Sequence, residues 1–243
     1  MVPDDVDRLL LRLRSRDDVS PEEEKALRWA VSEVREIPKD KVALRESLEL
    51  TSSTLLLEGM MVRYKDLSDS ARQITQLHVP GDFVDLHGFT LKRLDHNVMT
   101  ITDCRVASFP HDRLREITEK HPHLTRLLWF STNVDGAAHR EWELSLGRRS
   151  ALQRIAHLFC EVYYRLKVVG LTDGTSFAFP LTQTEIAEAK GLTSVHVNRT
   201  LKELREGEFV TVQKGRVTIH DLHGLMRICE FDPAYLYLER HPI

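Results

Sequence analysis

Residues 181–202 read LTQTEIAEAKGLTSVHVNRTLK, and this stretch decides how the C-terminal part of the chain folds. Thr182 and Glu185 have the spacing of a capping box, so the sequence predicts a helix that begins directly after Thr182. Gly191 can adopt a positive φ and end that helix, and Thr193 can cap a second one. Two helices joined by so short a turn predict a helix-turn-helix.

The second helix is predicted to have two chemically different faces. One arc holds Val197, Thr200, Leu201 and Leu204, which we expect to be buried. The opposite arc presents residue types that contact base edges or phosphates. A solvated amphipathic helix is the alternative interpretation, but the capped partner helix, the glycine turn and the hairpin that follows favour DNA recognition. The predicted DNA contacts are Thr182, Gln183, Ser194, Val195, His196, Asn198, Arg199, Lys202 and Lys214.

A two-stranded hairpin, or wing, is predicted directly after these helices. Phe209–Val212 and Arg216–Ile219 alternate apolar and polar residues around a Gln-Lys-Gly turn at 213–215, whose glycine tolerates the turn geometry. From the cap of the second helix to the first residue of the last strand, the chain carries five basic and three acidic side chains. We expect Lys214 and the hydroxyl of Thr182 to hold phosphates without reading sequence.

The overall composition gives no general attraction to nucleic acid, since the net charge of the 243 residues is −3. DNA binding must therefore come from a local surface. No stretch has the roughly 18 uncharged apolar residues that a membrane helix needs. Met1–Asp5 lacks the apolar core of a signal peptide, which predicts a cytoplasmic protein. The widely spaced Cys104, Cys160 and Cys229 predict neither a disulfide framework nor a four-thiolate cluster.

The N-terminal part is predicted to be helical over residues 1–33 and to continue as a β-sandwich or roll. Ser20–Glu23 is typical of a helix start, and an apolar stripe that includes Val34 follows it. Short apolar or alternating runs separated by turns such as Pro80–Asp82 predict the β-domain. The predicted strands are Val42–Leu44, Thr54–Leu57, Met61–Leu67, Arg72–Val79, Val98–Thr102 and Arg105–Phe109.

Helical periodicity resumes after the last of these strands. It predicts a short helix at His111–Lys120, a long one from Pro122 to about Leu146, a third at Arg149–Lys167 and a loop at Val168–Ser176. A helix of ~24 residues spans ~36 Å, which suits a dimer spine. We predict a homodimer because its apolar positions exceed what one small β-domain would cover; a helix packed within the chain is the alternative. Those positions are Leu124, Leu127, Leu128, Val134, Ala138 and Trp142.

With these motifs the chain resembles the Crp/Fnr family of bacterial transcription regulators over nearly its whole length. The resemblance rests on residues 77–83 (LHVPGDF), the long middle helix, matches within 147–156, and the helix-turn-helix residues 182–187 and 197–199. It implies a cyclic-nucleotide-binding-like β-roll, a coiled-coil dimer helix and a C-terminal winged helix. Arg199 matches the family's base-reading arginine, and RNA polymerase becomes an expected partner.

The sequence also departs from the family pattern. The family often carries a Glu four residues before that arginine, where Val195 stands here, so we expect the operator to differ at that position. Cyclic-AMP-binding members hold the cyclic phosphate with an Arg-Ser or Arg-Thr pair, which residues 82–88 and 92–97 lack. Oxygen-sensing members need N-terminal cysteines, and the first cysteine here is Cys104. The effector is therefore expected to be neither cyclic AMP nor an iron–sulfur cluster.

A site for some other effector in the roll is left open. Lys92 and Arg93 are candidates to receive an anionic effector, with Asp85 and His96 as further candidate residues; a solvated basic loop is the favoured alternative. The twelve histidines do not show the ligand spacing of a zinc site. We predict no metal and no cofactor. For Cys104, a buried inert thiol is favoured over a redox-responsive one.

The sequence thus predicts an α+β protein with an N-terminal antiparallel β-roll (1–121), a dimerisation helix (122–146) and a C-terminal winged helix-turn-helix with a tail (147–243). The predicted function is sequence-specific binding of double-stranded DNA, as a homodimer on a palindromic operator, under an unknown small-molecule effector and with no membrane partner. Two alternatives remain. A metal-dependent β-roll enzyme would need a clustered His/Glu set that the strands lack, and an interaction module would use the winged helix without DNA.

Overall fold

The computed structural model describes residues 6–68 and 71–243, and the chain divides into two compact units. Unit 1 comprises the described residues of Met1–Tyr64, Leu77–Gly136 and Tyr237–Ile243, and unit 2 comprises those of Lys65–Gln76 and Ala137–Leu236. This division differs from the three predicted domains. The long central helix forms no unit of its own, because its N-terminal part packs in unit 1 and its C-terminal part packs in unit 2.

The N-terminal segment forms two helices rather than one helical stretch. Helix α1 spans Asp7–Arg16 and α2 spans Pro21–Ala30, with Ser20 as the cap of α2. The Ser20 hydroxyl accepts from the Glu23 N–H, and the Glu23 carboxylate accepts from the Ser20 N–H (2.9 Å). The predicted helix start at Ser20–Glu23 is confirmed, whereas residues 17–19 and 31–33 are not helical. Residues 1–5 of the predicted stretch lie outside the described residues.

The seven strands described in the N-terminal part form two antiparallel sheets, which confirms the predicted roll. The sheet orders are β1-β7-β3 and β2-β6-β4-β5. Val34 belongs to β1 and pairs with Ala107, so its assignment to the apolar stripe of a helix was wrong. The strands are β1 Glu33–Ile37, β2 Val42–Leu44, β3 Ser52–Glu58, β4 Met61–Asp66, β5 Arg72–His78, β6 Asn97–Thr100 and β7 Cys104–Pro110.

Helix α3 (Gly88–Leu91) follows β5, and three further helices follow β7 and lead into unit 2. The three are α4 His111–Lys120, α5 Pro122–Arg148 and α6 Ala151–Val168. The predicted bounds of α4 are confirmed, and α5 and α6 match their predictions within two residues at most ends. Leu124, Leu127 and the four other apolar positions named for the dimer helix are at most 6% exposed in the single chain. Leu124, Leu127 and Leu128 pack with α1, α2 and strands of unit 1. Packing within the chain, the alternative to a dimer spine, therefore accounts for these positions, and the homodimer stays a prediction.

The C-terminal elements form a winged helix with one more hairpin than predicted. Helices α7 (Gln183–Lys190) and α8 (Ser194–Glu206) precede the wing strands β10 (Val210–Gln213) and β11 (Arg216–Ile219). Residues 168–176 are not one loop, because β8 (Thr172–Asp173) pairs with β9 (Ser176–Ala178), and β9 extends the wing sheet along β11. Strands of two and three residues are too short to show alternation. Helix α9 (Leu222–Cys229) packs on α6.

Candidate nucleic-acid interface

Helix α7 is held at its start by the predicted capping box. The Thr182 hydroxyl accepts from the Glu185 N–H (3.2 Å) and donates to the Glu185 carboxylate (2.8 Å), which also accepts from the Thr182 N–H (2.6 Å). Gly191 ends the helix in the left-handed region, with φ +60°, as expected. Because its hydroxyl proton is committed to Glu185, Thr182 could contact a phosphate through that hydroxyl only by leaving the carboxylate.

Helix α8 follows after a three-residue connection and buries the predicted face. The Thr193 hydroxyl accepts from the His196 N–H (3.3 Å) and so caps the helix. Val197, Thr200 and Leu204 are at most 2% exposed, which confirms their prediction, whereas Leu201 is only half-buried. Burial of this face fixes the rotation of α8 about its axis, and the opposite face is therefore presented to solvent.

The exposed face of α8 carries the side chains expected to contact DNA. Val195 is 77% exposed, so its methyl groups are accessible from solvent. The Asn198 amide donates to the Gln183 side-chain oxygen (3.4 Å), so this face includes the first residue of α7. The Lys202 ammonium lies 3.6 Å from the Glu206 carboxylate one turn along. The exposed members of the predicted set on α8 are Ser194, Val195, His196, Asn198, Arg199 and Lys202.

The wing ends in a two-residue turn that exposes Lys214. Gln213 pairs with Arg216, and Lys214 and Gly215 both have positive φ, +49° and +70°. Positive φ at both central residues is the geometry of a type I′ hairpin, whose twist matches that of the strands. The turn therefore projects the Lys214 ammonium into solvent at the tip of the wing.

Sequence reasoning missed a buried ionic cluster beneath the helix-turn-helix. The fully buried Glu161 carboxylate on α6 accepts from the Trp142 indole N–H (2.8 Å), the Tyr235 hydroxyl (2.9 Å) and the Arg165 guanidinium (3.1 Å). The Lys190 ammonium at the end of α7 lies 3.3 Å from the centroid of the Trp142 ring, and burial lowers the pKa of Lys190 to about 7. Each residue taken alone looks like an ordinary polar position on a helix, so only the packing brings them together.

Comparison with known proteins matches both parts of the chain. The family model of the cyclic nucleotide-binding domain matches residues 34–121, and that of the Crp-like helix-turn-helix domain matches residues 153–228. The transcriptional activator protein FnrL of Cereibacter sphaeroides is 30% identical over 175 residues, 70% of each chain. The chain belongs to the Crp/Fnr family of bacterial transcription regulators.

Further relatives support the assignment to this family. The nitrogen fixation regulation protein FixK of Bradyrhizobium diazoefficiens is 29% identical over 177 residues, 70% of this chain and 71% of that protein. The solved structure of FixK2 from Bradyrhizobium japonicum superposes with a TM-score of 0.74 at 24% identity and covers 81% of this chain and 96% of that one. This Crp/Fnr chain is thus a transcription regulator with a helix-turn-helix DNA-binding domain and is not an enzyme.

The candidate effector residues of this Crp/Fnr roll differ in their surroundings, two being buried and two exposed. Asp85 is fully buried, accepts from the Thr54 N–H (2.5 Å), and has its pKa raised by burial to about 7. Burial lowers the pKa of His96 to about 4, and its imidazole lies 2.7 Å from Asp95. Two basic candidates lie at the surface: the Lys92 ammonium donates to the backbone carbonyl of Phe89 in α3, and the Arg93 side chain is 67% exposed. Their role as effector ligands stays a prediction.

Two further features of this family member bear on the alternatives. In the part of the chain that the structure describes, no three His, Cys, Asp or Glu side chains are arranged to hold a metal ion. Over the same residues, no helix has the length and apolarity needed to cross a membrane. Cys104 is buried, and burial raises the pKa of its thiol, as expected of an inert structural cysteine.

Proposed function

We propose that this regulator binds a palindromic operator as a homodimer and reads each half-site with α8 in the major groove. The proposal depends on one observation, the exposed face of α8, where Val195, Asn198 and Arg199 lie next to one another. Arg pairs with guanine, Asn with adenine, and a valine methyl packs on the thymine methyl. Lys214 on the wing would hold the adjacent phosphates and set the register.

The dimer interface is proposed to be an exposed stripe on α5 rather than its buried leucines. We define the α5 stripe as Arg126, Trp129, Asn133, Arg140 and Glu143, all of which are exposed in the single chain. Their spacings of three, four, seven and three residues follow the a and d positions of a heptad. Trp129 is 67% exposed, and a second α5 would remove this large apolar surface from water. The stripe therefore fits a second copy of the same helix.

The effector is proposed to be neither cyclic AMP nor an iron–sulfur cluster. Inside the roll the Arg63 guanidinium is paired with Asp135 (3.1 Å), and Arg12 of α1 forms an ion pair with Asp82. A cyclic phosphate would have to compete with these carboxylates for its counter-charge. The three cysteines are all buried among packed side chains, which leaves no exposed thiolate set for a cluster. An unidentified small-molecule effector remains part of the proposal.

Regulation is proposed to take place in the cytoplasm, through contact with RNA polymerase at the promoter. The relatives FnrL and FixK are described as a transcriptional activator and a regulation protein, respectively. A regulator bound at one fixed site on DNA can change transcription by recruiting or blocking the polymerase.

Selection of bound sequences from a random duplex pool tests the proposal. We expect enrichment of two inverted half-sites whose centres lie about 10 base pairs, ~34 Å, apart. Enrichment of a single half-site would contradict the dimer, and the absence of any enrichment would contradict sequence-specific binding. An affinity for duplex DNA that does not change with salt concentration, or no binding to duplex DNA, would favour an interaction module instead.

A further inference from the structure

A side-chain pair bridges the two helices of the helix-turn-helix on the face proposed to meet DNA. The Asn198 amide on α8 donates to the Gln183 side-chain oxygen on α7, 15 residues earlier, across 3.4 Å. Both residues are exposed, so the bond contributes little to the packing of the helices. The burial of Val197 and the cap of α7 by Thr182 hold the two backbones in the position that makes this contact possible.

The bond leaves one edge of the Asn198 amide available for recognition. A primary amide has two N–H donors and one carbonyl oxygen. The Asn198 side chain can donate to Gln183 with the N–H that points away from its own carbonyl oxygen. The other N–H and the oxygen then lie side by side on the opposite edge of the amide. Adenine presents the complementary pair in the major groove, an N7 acceptor beside an N6 donor. The pair held in this way therefore matches adenine.

We infer that Gln183 is a specificity-determining residue, which orients the Asn198 amide so that it reads adenine. If the amide were reversed, its oxygen would face the Gln183 oxygen, two acceptors without a proton between them. In the proposed complex the NH₂ group of Gln183 would donate to a phosphate at the start of α7, which would leave the Gln183 side-chain oxygen facing Asn198. The inference rests on the proposed DNA-binding function and assigns to Gln183 a role beyond phosphate contact.

The test compares base preference at one position of the selected operator for the full-length chain and its variants. Asn198→Ala identifies the base pair read by Asn198, and we expect it to lower the preference for adenine there about ten- to hundredfold. Gln183→Leu removes the acceptor at similar size, and we expect it to lower the same preference about three- to tenfold. The slope of affinity against salt should stay unchanged in Gln183→Leu, because no charge is lost.

Two controls separate orientation from a structural effect. Thr184→Ala changes the exposed residue beside Gln183 and should leave base preference at every position as in the wild type. The double variant Gln183→Leu with Asn198→Ala should show the preference of Asn198→Ala alone, because an orienting residue has nothing left to orient. Thermal unfolding of each variant checks that the chain remains folded.

The outcomes distinguish this inference from the proposed function. The role of Gln183 would be overturned if Gln183→Leu kept the wild-type preference for adenine. It would also be overturned if the double variant lost as much preference as the two single variants together. Sequence-specific binding would stand in both cases. A uniform loss of affinity with unchanged preference would make Gln183 a phosphate contact only. If the wild-type chain selects no sequence, the proposed function itself fails.

Discussion

Single side chains on the α8 face and on the wing are expected to contribute to DNA binding in different ways. Arg199 is exposed on the second turn of α8, where a guanidinium can reach the two acceptors of guanine. Arg199→Ala should cost ~1–3 kcal/mol of binding free energy and relax the preference at one base pair. Lys214→Ala should weaken binding to all sequences alike and lower the salt slope by about one.

Competition binding against operators that vary at one base pair, at several salt concentrations, checks this contrast. Arg205→Ala, which removes an exposed arginine from the last turn of α8, is the matched control and should leave sequence preference unchanged. Equal behaviour of Arg199→Ala and Lys214→Ala would contradict the proposed separation into base reading and phosphate contact.

A histidine in unit 1 makes stability depend on pH. The His123 imidazole at the start of α5 lies between Asp17 (3.1 Å) and Glu23 (2.7 Å), and hydrogen bonds to these carboxylates raise its pKa. A histidine with a raised pKa stabilises the folded chain fully below its ordinary value of about 6.5 and loses that contribution as the pH rises through the raised value. The contribution of His123 to the free energy of unfolding should therefore fall above pH 6.5.

Urea unfolding at pH 6 and pH 9 measures this contribution. We expect the free energy of unfolding of the wild type to fall relative to that of His123→Asn between these two pH values. His223→Asn, which alters an exposed histidine of unit 2, should follow the wild type. Parallel pH curves for the wild type and His123→Asn would show that the imidazole does not stabilise unit 1.

At the scale of helices and strands, local signals were enough for some elements and not for others. The bounds of α7 and α8 follow from Thr182, Gly191 and Thr193, because caps and a left-handed glycine act within a few residues. Strand β1 could not be predicted in this way, since its pairing with β7 joins residues about 70 positions apart. The Gln183–Asn198 bond depends likewise on how two helices cross.

The same limit applies to the dimer surface of α5. Apolar residues that recur about every 3.6 positions predict that a helix has a buried face, but they do not show which neighbour covers that face. In the structure the leucines of α5 are buried by their own chain, and Trp129 and Asn133 are left on the exposed stripe. Sequence alone therefore assigned the helix correctly, but it could not show that the apolar residues named for the dimer are buried within the chain.

The α5 stripe yields a direct test of association. Trp129→Ala should shift the chain from dimer to monomer, because it removes the largest apolar side chain of the stripe, worth ~2 kcal/mol or more of burial at the interface. Sedimentation velocity over a range of concentrations measures the change. Trp29→Ala, which alters a tryptophan of α2 that is 45% exposed, is the control and should leave the oligomeric state as it is.

The cluster that joins α5, α6 and α7 predicts a second pH effect of opposite sign. Burial lowers the pKa of Lys190 to about 7 from an ordinary value of 10.5, so the unfolded chain holds this proton at pH values where the folded chain has released it. The contribution of Lys190 to the free energy of unfolding should therefore rise with pH between 7 and 10.5. In urea unfolding, Lys190→Met should lose this rise, whereas Lys202→Met, which alters an exposed lysine, should keep it. If the free energy of unfolding of Lys190→Met depended on pH as in the wild type, the lowered pKa of Lys190 would be contradicted.

For the whole molecule, the fold class and the family could be recognised from the sequence, but the division into units could not. Residues 65–76 and 237–243 belong to units other than those of the residues next to them in the chain. The unit in which such a segment packs depends on contacts between residues distant in sequence. One example is the Ile243 N–H, which donates to the Asp17 carboxylate (2.8 Å) in unit 1. No local pattern around residue 236 marks the change of unit.

The homodimer makes a prediction about spacing that a monomer does not. If two α8 helices enter successive major grooves on one face of the duplex, their half-sites must be separated by about one helical turn, 10–10.5 base pairs. Five base pairs inserted between the half-sites turn one of them to the opposite face, where the second α8 cannot reach it. We expect a loss of affinity of more than about tenfold, because only one half-site then makes specific contacts. The same five base pairs inserted outside the operator should have no effect in a gel-shift titration, and unchanged affinity for both insertions would mean that each subunit binds DNA independently of its partner.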